Sequence, residues 1–348
     1  MSSIGNRKSA MTSNRQSAMD NRQCISWGLI GCGDIAQRRV APALTQSPQS
    51  ELAAVSRANP DLLDEFADGF RAEHRFAEWQ ELVKSEHIDA VYVATPPNLH
   101  AEQTVAAAEA GKHVLCEKPM AMNVAECDRM IAAAKANGVK LGIAYYRQFY
   151  PVVKRIKEVI DSQEIGKPTI VEVAAFEWVD PDSKDPRAWR LRRDIAGGGP
   201  MFEFGCHRIQ LLLHLFGPVQ ALSATTSNAL FDREVEDTAT ASFEFANGLV
   251  ATLTVSHAVM EPRDTFVVWG SEGSVSTKVL NEGRLIVKSR NGERAESHEP
   301  ARNIHQPLID DFVRAIIDDR QPSVTGEIGK AVAEVEEEIY DHARRSRP

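Results

Sequence analysis

One lysine of this 348-residue chain stands where its charge could act on a reacting oxygen. Lys118 lies between Glu117 and Pro119, directly after the apolar residues 114–116, which are predicted to form a buried strand. In open α/β sheets, ligands collect outside the carboxyl ends of the strands. The proline fixes the backbone beside the lysine, and a cis peptide bond is one way of doing so. We therefore expect the Lys118 ammonium to face a bound ligand; the alternative is a surface lysine in a strand-to-helix loop.

A glycine-rich turn follows the first predicted strand. Residues 31–36 match the pattern G-x-G-x-x-A, which holds the pyrophosphate of a dinucleotide when it lies between a strand and a helix. The first glycine allows the tight turn, the second lets phosphates approach the backbone, and the alanine keeps the helix close to the strand. A glycine turn without a nucleotide is the alternative. The predicted contacts of the dinucleotide here are Gly31, Gly33, Asp34, Ile35 and Ala36.

The end of the second predicted strand indicates which dinucleotide binds. An NAD enzyme usually has an aspartate or glutamate there for the ribose hydroxyls, whereas this chain has Ser56 and Arg57. A hydroxyl and a guanidinium suit the 2′-phosphate of NADP, and the guanidinium can also stack on adenine. The sequence therefore favours NADP, with NAD and a merely solvated Arg57 as the alternatives.

A third loop, residues 95–100, follows another predicted strand and contains two prolines that stiffen it. We expect Thr95 and Pro96 to line the cofactor site together with Glu117. Asn98 and His100 could bond the nicotinamide ribose. Local sequence equally allows Asn98 to be a helix cap and His100 a first-turn histidine.

A doubly wound parallel sheet would hold these loops side by side. From residue 25 to residue 144, short apolar runs alternate with helical patterns, as buried parallel strands alternate with crossover helices. The predicted strands are 25–30, 52–55, 90–94, 114–116 and 141–144, and the predicted helices are 36–44, 62–70, 102–110 and 124–136.

The pattern changes in the second half of the chain. A predicted helix at 152–160 precedes longer alternating runs that are typical of antiparallel strands. We predict a disordered tail over residues 1–24, a Rossmann domain over 25–145 and a second α/β domain over 146–348, in which the last helix could pack back on the first domain. The predicted strands are 169–176, 239–245, 249–256 and 266–270, with Asn247-Gly248 as a hairpin turn, and the closing helices are 308–317 and 328–343.

Composition argues against several classes of partner. A formal net charge of −9 disfavours nucleic acid and anionic membranes. Five cysteines without paired metal-type spacing indicate a reduced cytoplasmic setting and no metal site. No apolar run is long enough to cross a bilayer, and residues 1–23 lack the hydrophobic segment of a secretory signal. We expect a small-molecule substrate.

In their order along the chain, the glycine turn, the loop 95–100 and the Glu-Lys-Pro motif resemble the glucose-fructose oxidoreductase / inositol dehydrogenase / rhizopine catabolism family, Gfo/Idh/MocA. The second half adds the matching motifs Trp189-Arg190, Gly-Gly-Gly-Pro at 197–200, Glu-x-Gly-x-His at 203–207 and Glu-Asp-Thr at 236–238. The resemblance implies an N-terminal Rossmann domain and a C-terminal domain whose open, mainly antiparallel sheet often forms a homodimer or homotetramer interface. Members commonly oxidise or reduce one carbon of a sugar, inositol or polyol.

The resemblance also implies three catalytic residues, Lys118, Glu203 and His207, which would contact substrate. It further implies that Lys118 lies beside the nicotinamide and so binds the cofactor as well. Glu203 and His207 are four residues apart, so on an α-helix they would share one face. A histidine can accept a hydroxyl proton near neutral pH, and Lys118 can stabilise the developing alkoxide. Glu203 departs from the family, which usually has aspartate. Its added methylene leaves open whether it acts in catalysis, only orients His207, or pairs with a cation.

Four more residues are expected around the substrate and the cofactor. Tyr146 and Arg147 would line the substrate pocket, because a ring and a cation suit a polyhydroxylated ligand. Trp189 and Arg190 would reach the cofactor, as their counterparts can in relatives; core packing is the alternative for Trp189. The sequence thus predicts an NADP-preferring oxidoreductase. Two other functions stay open: a glycoside hydrolase assisted by retained NAD, and a non-catalytic NADP-binding regulator.

Overall fold

The first domain of the protein, seen in a computed structural model that describes residues 24–346, is built on a six-stranded parallel sheet. The spatial order of the strands is β3-β2-β1-β4-β5-β6, which confirms the predicted doubly wound sheet. Apart from Cys24, the predicted tail lies outside the described residues. The strands are β1 Ile25–Ile30, β2 Ser50–Ser56, β3 His74–Phe76, β4 Ala90–Val93, β5 His113–Cys116 and β6 Leu141–Ile143.

Helices connect these strands, and their ends show why they form where they do. The Asn59 side chain caps one helix by accepting from the Leu62 N–H at 3.1 Å, and Asn123 caps another by accepting from Glu126 at 2.9 Å. The sequence did not predict β3 or α3, because neither is long enough to show a period. The helices are α1, a π-helical turn Ala36–Val40 continued by Ala41–Gln46, then α2 Pro60–Phe70, α3 Trp79–Lys84, α4 His100–Glu109 and α5 Val124–Asn137.

The strand order brings the three chemical loops to one edge of the sheet. β1 lies between β2 and β4, and β4 lies between β1 and β5. The loops that leave β1, β4 and β5 are therefore neighbours. Gly31 lies against the backbone of Ala94, and the Glu117 N–H donates to the Val93 carbonyl at 2.9 Å. The glycine turn, the loop 95–100 and Lys118 consequently share one edge, as expected for a ligand site.

The second domain contains an eight-stranded sheet. The strands are β7 Pro168–Trp178, β8 Val219–Ser227, β9 Thr238–Phe245, β10 Val250–Ser256, β11 Ala258–Gly270, β12 Gly273–Thr277, β13 Arg284–Ser289 and β14 Gly292–Ser297. Their order is β14-β13-β12-β11-β7-β10-β9-β8, and every pair is antiparallel except β7 with β10. The predicted mainly antiparallel sheet is thus confirmed, and the Asn247-Gly248 turn joins β9 to β10.

Helices of the second half cover one face of this sheet and return to the first domain. On β7, Val171 and Val173 point to the covered face and are buried, whereas Ile170 is 49% exposed on the other. The last helix packs against α5 and β6 of the first domain and against β8 of the second, so it ties the two together. These helices are α6 Pro151–Asp161, α7 Arg193–Ala196, α8, a π-helical turn Met201–Gly205 continued by Cys206–Phe216, α9 Gln306–Ile317 and α10 Gly326–Arg345.

Candidate active site

The glycine turn leaves room for phosphates at the start of α1. Gly31 has φ +90°, and a Cβ there would lie 2.7 Å from the carbonyl carbon of Ala94, so the backbone itself requires glycine. A Cβ at Gly33 would meet nothing within 4 Å. No neighbouring protein group requires the second glycine, so the open space beside it fits a pyrophosphate at a helix N-terminus. Asp34 and Ile35 are exposed at this end, and Ala36 is buried.

Arg57 reaches across the glycine turn. Its Nη1 donates to the carbonyl oxygen of Cys32 at 2.5 Å, and the Gly31 N–H donates to the carbonyl of Ser56 at 3.2 Å. Ser56 is buried, while Arg57 is partly exposed. The guanidinium therefore lies next to the predicted dinucleotide site. Burial raises the pKa of the Cys32 thiol to about 12, although the charge of Arg57 opposes the shift, so this cysteine is not a nucleophile.

The loop 95–100 is held from within by His100. Its Nδ1 lies 2.9 Å from the Pro119 carbonyl oxygen and its Nε2 lies 2.8 Å from the Thr95 carbonyl oxygen. Burial lowers the pKa of His100, so the ring is neutral and can donate to only one of them at a time. His100 thus joins the Thr95 loop to the Lys118 loop. Asn98 is exposed and does not cap α4, whose N-cap residue Leu99 forms no side-chain capping bond.

Lys118 leaves the end of β5 with a buried carboxylate beside it. The peptide bond between Lys118 and Pro119 is cis. Glu117 accepts from the Tyr92 hydroxyl at 2.9 Å and from the Lys118 N–H at 3.1 Å, and its Oε1 lies 3.4 Å from Nε2 of His305. Burial alone would raise the pKa of Glu117, but His305, Lys118 and Tyr92 together lower it to about 2. The Lys118 loop is therefore anchored by a permanent negative charge.

The Lys118 side chain crosses to the second domain. Its Nζ donates to the carbonyl oxygen of Glu203 at 2.9 Å. That carbonyl belongs to the π-helical turn Met201–Gly205, a wider turn of a kind that is frequent at functional sites. The Sγ of Cys206 also lies 3.3 Å from the same oxygen. The ammonium group and the first turns of α8 are thus fixed to each other.

The carboxylate of Glu203 does not bind His207. It forms an ion pair with Arg190, and its Oε2 lies 3.3 Å from Nε2 of His257. The sequence placed Glu203 and His207 on one face of an α-helix. In the structure Glu203 lies in the π-helical turn and His207 in the α-helix that follows, so the α-helical spacing does not describe the pair. Three roles were left open for Glu203, and the structure shows one of them, the ion pair with a cation.

Glu236 fixes the start of the π-helical turn. Its carboxylate accepts from the Gly199 N–H at 2.9 Å, from the Met201 N–H at 3.3 Å and from the Tyr340 hydroxyl at 2.8 Å. A buried carboxylate that receives two backbone N–H groups satisfies donors that the start of a helix leaves unpaired. The Glu-Asp-Thr motif is therefore a support for the turn that carries Glu203.

His207 is buried among aromatic rings. Its ring lies edge-on to those of Tyr146 and Tyr145, with ring centroids 4.8 Å and 5.8 Å apart. Its Nδ1 has no hydrogen-bond partner among the described residues. Burial, and then the charges of Lys118, Arg147 and Arg208, lower the pKa of His207 well below its ordinary value. The imidazole is consequently neutral near pH 7 and able to accept a proton.

Arg147 and Trp189 differ in how open they are. Arg147 is buried and its Nη1 donates to Asp264 at 3.0 Å, so this guanidinium is held by the protein rather than left open. Trp189 is half-buried in the short turn Ala188–Leu191, together with Arg190.

Three residues near the site escaped the sequence analysis: His257, Asp264 and His305. Asp264 lies on the same face of β11 as the buried Phe266 and Val268. An acidic residue at an alternating position that is otherwise apolar is the sequence signal that could have indicated a buried carboxylate. His305 is buried, and its ring lies 4.5 Å from that of Tyr146. His257 is likewise fully buried, just after β10. Neither histidine belongs to a periodic pattern or a motif.

Residues 24–346 show neither a cluster of metal-ligating side chains nor a membrane-spanning helix. Within that range no three His, Cys, Asp or Glu side chains come together in a way that could hold a metal ion. Nor does that range contain a helix that combines the length and the apolar character needed to cross a bilayer.

Two family models match the chain. One, described as an oxidoreductase family with an NAD-binding Rossmann fold, matches residues 25–145. The other, described as the GFO/IDH/MocA C-terminal domain, matches residues 153–276. Together they cover the whole of the first sheet and the second sheet as far as β12.

Individual relatives agree with these models. Oxidoreductase P35 of Formosa agariphila is 32% identical over 298 residues, which are 83% of this chain and 90% of that protein. The 1,5-anhydro-D-fructose reductase of Ensifer adhaerens is 30% identical over 87% of this chain and 91% of its own length. A solved levoglucosan dehydrogenase in complex with NADH and levoglucosan superposes with a TM-score of 0.85 at 25% identity, covering 93% of this chain and 98% of that one.

His257 should make folding stability depend on pH. Burial, followed by the charges of Arg233 and Arg190, lowers its pKa to about 3. The unfolded chain binds a proton there below about pH 6.5 and the folded chain does not, so stability falls as pH falls through this window. His257→Gln should reduce the slope of unfolding free energy against pH by about 1.4 kcal/mol per pH unit between about pH 4 and 6.

Urea titrations at several pH values measure this slope. His113→Gln, outside the site, is the positive control. Burial lowers the pKa of His113 to about 4, so its loss should reduce the slope of unfolding free energy against pH in the same way. An unchanged slope in His257→Gln would mean that His257 is protonated in the folded protein.

Proposed function

Because this chain belongs to the Gfo/Idh/MocA oxidoreductase family, we propose that it transfers a hydride between a nicotinamide cofactor and one carbon of a sugar, inositol or related polyol. The strongest support is the contact between Lys118 Nζ and the Glu203 carbonyl, which brings a cation of the first domain to the turn that precedes His207. The relatives named for anhydrofructose reduction and levoglucosan oxidation support the substrate class.

The surroundings of each residue in the site fit the role proposed for it. The bound nicotinamide supplies the hydride chemistry. The neutral His207 imidazole accepts the proton of the substrate hydroxyl, and the Lys118 ammonium stabilises negative charge on the same oxygen. Glu117 holds the Lys118 backbone, while Glu203 orients the Lys118 side chain through its carbonyl and is itself held by Arg190.

Lys118→Ala and His207→Ala should each lower turnover by about 10²- to 10⁴-fold, the usual contribution of a general acid or base. Cofactor affinity should persist, because neither change touches the glycine turn. Turnover is read from nicotinamide absorbance and affinity from fluorescence titration. Lys330→Ala is the control, since Lys330 pairs with Asp128 on the surface. Wild-type turnover in Lys118→Ala or His207→Ala would remove that residue from the reaction.

A screen of sugars and polyols with both cofactors tests the activity itself. Steady reduction or oxidation of nicotinamide with at least one substrate is the expected result. Consumption of a glycoside without net reduction would indicate the hydrolase instead. Tight cofactor binding without turnover of any substrate would indicate the regulator.

We further propose that NADP is the preferred cofactor. The three residues directly after β2 include no carboxylate, and Arg57 lies over the glycine turn with Nη1 on the Cys32 carbonyl. A phosphate on the adenosine ribose would offer this guanidinium a stronger, charge-assisted partner than a hydroxyl does.

Arg57→Ala should therefore weaken NADP much more than NAD. A hydrogen bond to a charged group contributes about 1.5–3 kcal/mol, so the ratio of the two dissociation constants should shift by about 10- to 150-fold. Isothermal titration with each cofactor gives the ratio. Arg75→Ala is the matched control, because Arg75 lies on the adjacent β3 and is held by Asp64 and Asp68. An unchanged ratio in Arg57→Ala would refute the phosphate role.

A homodimer or homotetramer through the open face of the large sheet is also proposed. Val250, Ile170 and Trp269 pair across three neighbouring strands and point away from the helices. Val250 is 42% and Ile170 49% exposed in the single chain. An apolar row of this kind on an uncovered face favours contact with a second copy.

Ile170→Glu should dissociate the assembly, because a charge would have to be buried in the contact. Light scattering during gel filtration measures the mass. Leu62→Glu, at a comparably exposed position on α2 of the first domain, should leave the mass unchanged. Persistence of the wild-type mass in Ile170→Glu would exclude this face.

A cytosolic location completes the proposal. All five cysteines are free thiols, which suits a reducing compartment. Cell fractionation should recover the protein with the cytosol, and recovery from an oxidising compartment would contradict this.

A further inference from the structure

A buried ionic network lies beside His207. Asp264 on β11 binds two arginines, Arg147 through Nη1 at 3.0 Å and Arg208 through Nη2. The side chains of Arg147 and Arg208 are 8% and 5% exposed, and that of Asp264 is 15% exposed. Arg147 comes from the short turn Tyr146–Phe149, and Arg208 comes from α8. One carboxylate thus joins three separate elements around the proposed base.

The network carries a surplus positive charge. Both arginines are charged at any physiological pH, and a single carboxylate balances only one of them. Arg208 donates further to the carbonyl of Phe204 at 2.9 Å, which is a neutral acceptor. The Nε atoms of both arginines are buried without a hydrogen-bond partner among residues 24–346. No second acid is bonded to the two guanidinium groups there.

Both arginines are next in the chain to a residue of this site, and the charge of each acts on His207. Arg208 follows it in α8, and Arg147 follows Tyr146, whose ring contacts the imidazole. Other elements add the charged or titratable groups that act on His207 or touch its ring, namely Lys118 from the loop after β5, Tyr145, Tyr146 and His305. Cys206 precedes it, and burial raises the pKa of that thiol to about 12, so it is neutral. The ionised groups that act most strongly on His207 are thus the positive Lys118, Arg147 and Arg208, and Asp264 is the anion bonded to the two arginines.

We propose that Asp264 is a positioning residue of the reaction: it holds Arg147 and Arg208 beside the residues that carry and contact His207, and it balances one of their two positive charges, so that a single surplus charge disfavours protonation of the imidazole. The inference rests on the proposed function, because it assigns Asp264 through His207. The carboxylate does more than neutralise charge in this arrangement. It fixes two cations where they act on the base, yet leaves one positive charge unbalanced.

Two substitutions with opposite effects on charge test this role. Asp264→Asn removes the negative charge and should move the acidic limb of the kcat/KM profile to lower pH. Arg147→Gln removes a positive charge and should move the limb to higher pH. Each shift should be on the order of one pH unit for charges at this range in a partly screened interior. Arg147→Lys keeps the charge and should restore the wild-type limb. If the substitutions acted only by destabilising the fold, Asp264→Asn and Arg147→Gln would not move the acidic limb of the pH profile in opposite directions.

A control network exists on the surface. Glu296 on β14 binds Arg294 of the same strand and Arg155 of α6, away from His207. Glu296→Gln removes the same kind of charge from the same kind of cluster and should leave the pH profile unchanged. A shift in this control equal to that of Asp264→Asn would overturn the inference, because the effect would then be general.

A second measurement separates this inference from the proposed function. The imidazole signal of His207 can be titrated by NMR in cofactor-free protein, with the signal assigned by its loss in His207→Gln. If wild type turns over no sugar or polyol, the proposed function fails while this titration still tests Asp264. If Asp264→Asn does not fold, Arg147→Gln against Arg147→Lys decides alone. Shifts of one sign in all variants, or no shift, would overturn the proposal.

Discussion

A bond from Lys118 Nζ to the carbonyl oxygen of Glu203, 2.9 Å away, joins the two chemical halves of the molecule. Its donor follows a strand of the parallel sheet, and its acceptor lies in the π-helical turn of the second domain. Both ends are braced by buried carboxylates: Glu117 accepts the N–H of Lys118, and Glu236 accepts the N–H groups of Gly199 and Met201. A bond between two braced ends orients the ammonium group at little further cost in conformational entropy.

Glu117, Glu203 and Asp264 are each bound to a cation or a donor, and this sets the chemistry of the site. Glu117 receives hydrogen bonds from Tyr92 and Lys118, Glu203 pairs with Arg190, and Asp264 holds two arginines. His207, in contrast, lies against tyrosine rings and positive charge. A neutral imidazole beside an ammonium group is an arrangement in which a hydroxyl can lose its proton while negative charge on its oxygen is stabilised. The environment, rather than the residue types alone, therefore gives this site its proposed acid–base character.

The parts of the fold that the sequence predicted are those with local signals. Apolar runs bounded by glycine or proline gave five strands of the first sheet, and Asn247-Gly248 gave the β9–β10 hairpin. The three-residue strand β3 and the six-residue helix α3 gave no usable period. The π-helical turn could not be predicted from the sequence either, because over five residues the pattern of apolar residues does not distinguish a π turn from an α turn. Its support comes from Glu236, which accepts from Met201 across 35 positions of sequence.

By itself the sequence determined that a glycine turn, a stiff loop and a lysine each follow a strand, since strand ends and turns are encoded by adjacent residues. That the three strands are neighbours follows from the strand order in the folded sheet. Only the tertiary structure decided which charges meet. It brought Arg147 to Asp264 across 117 positions and Lys118 to the Glu203 carbonyl across 85. It also turned the Glu203 carboxylate towards Arg190 and His257, away from His207. The physical reason is that a buried side chain takes its partner from whichever distant segment packs against it, and the burial that makes pairing obligatory exists only in the folded chain.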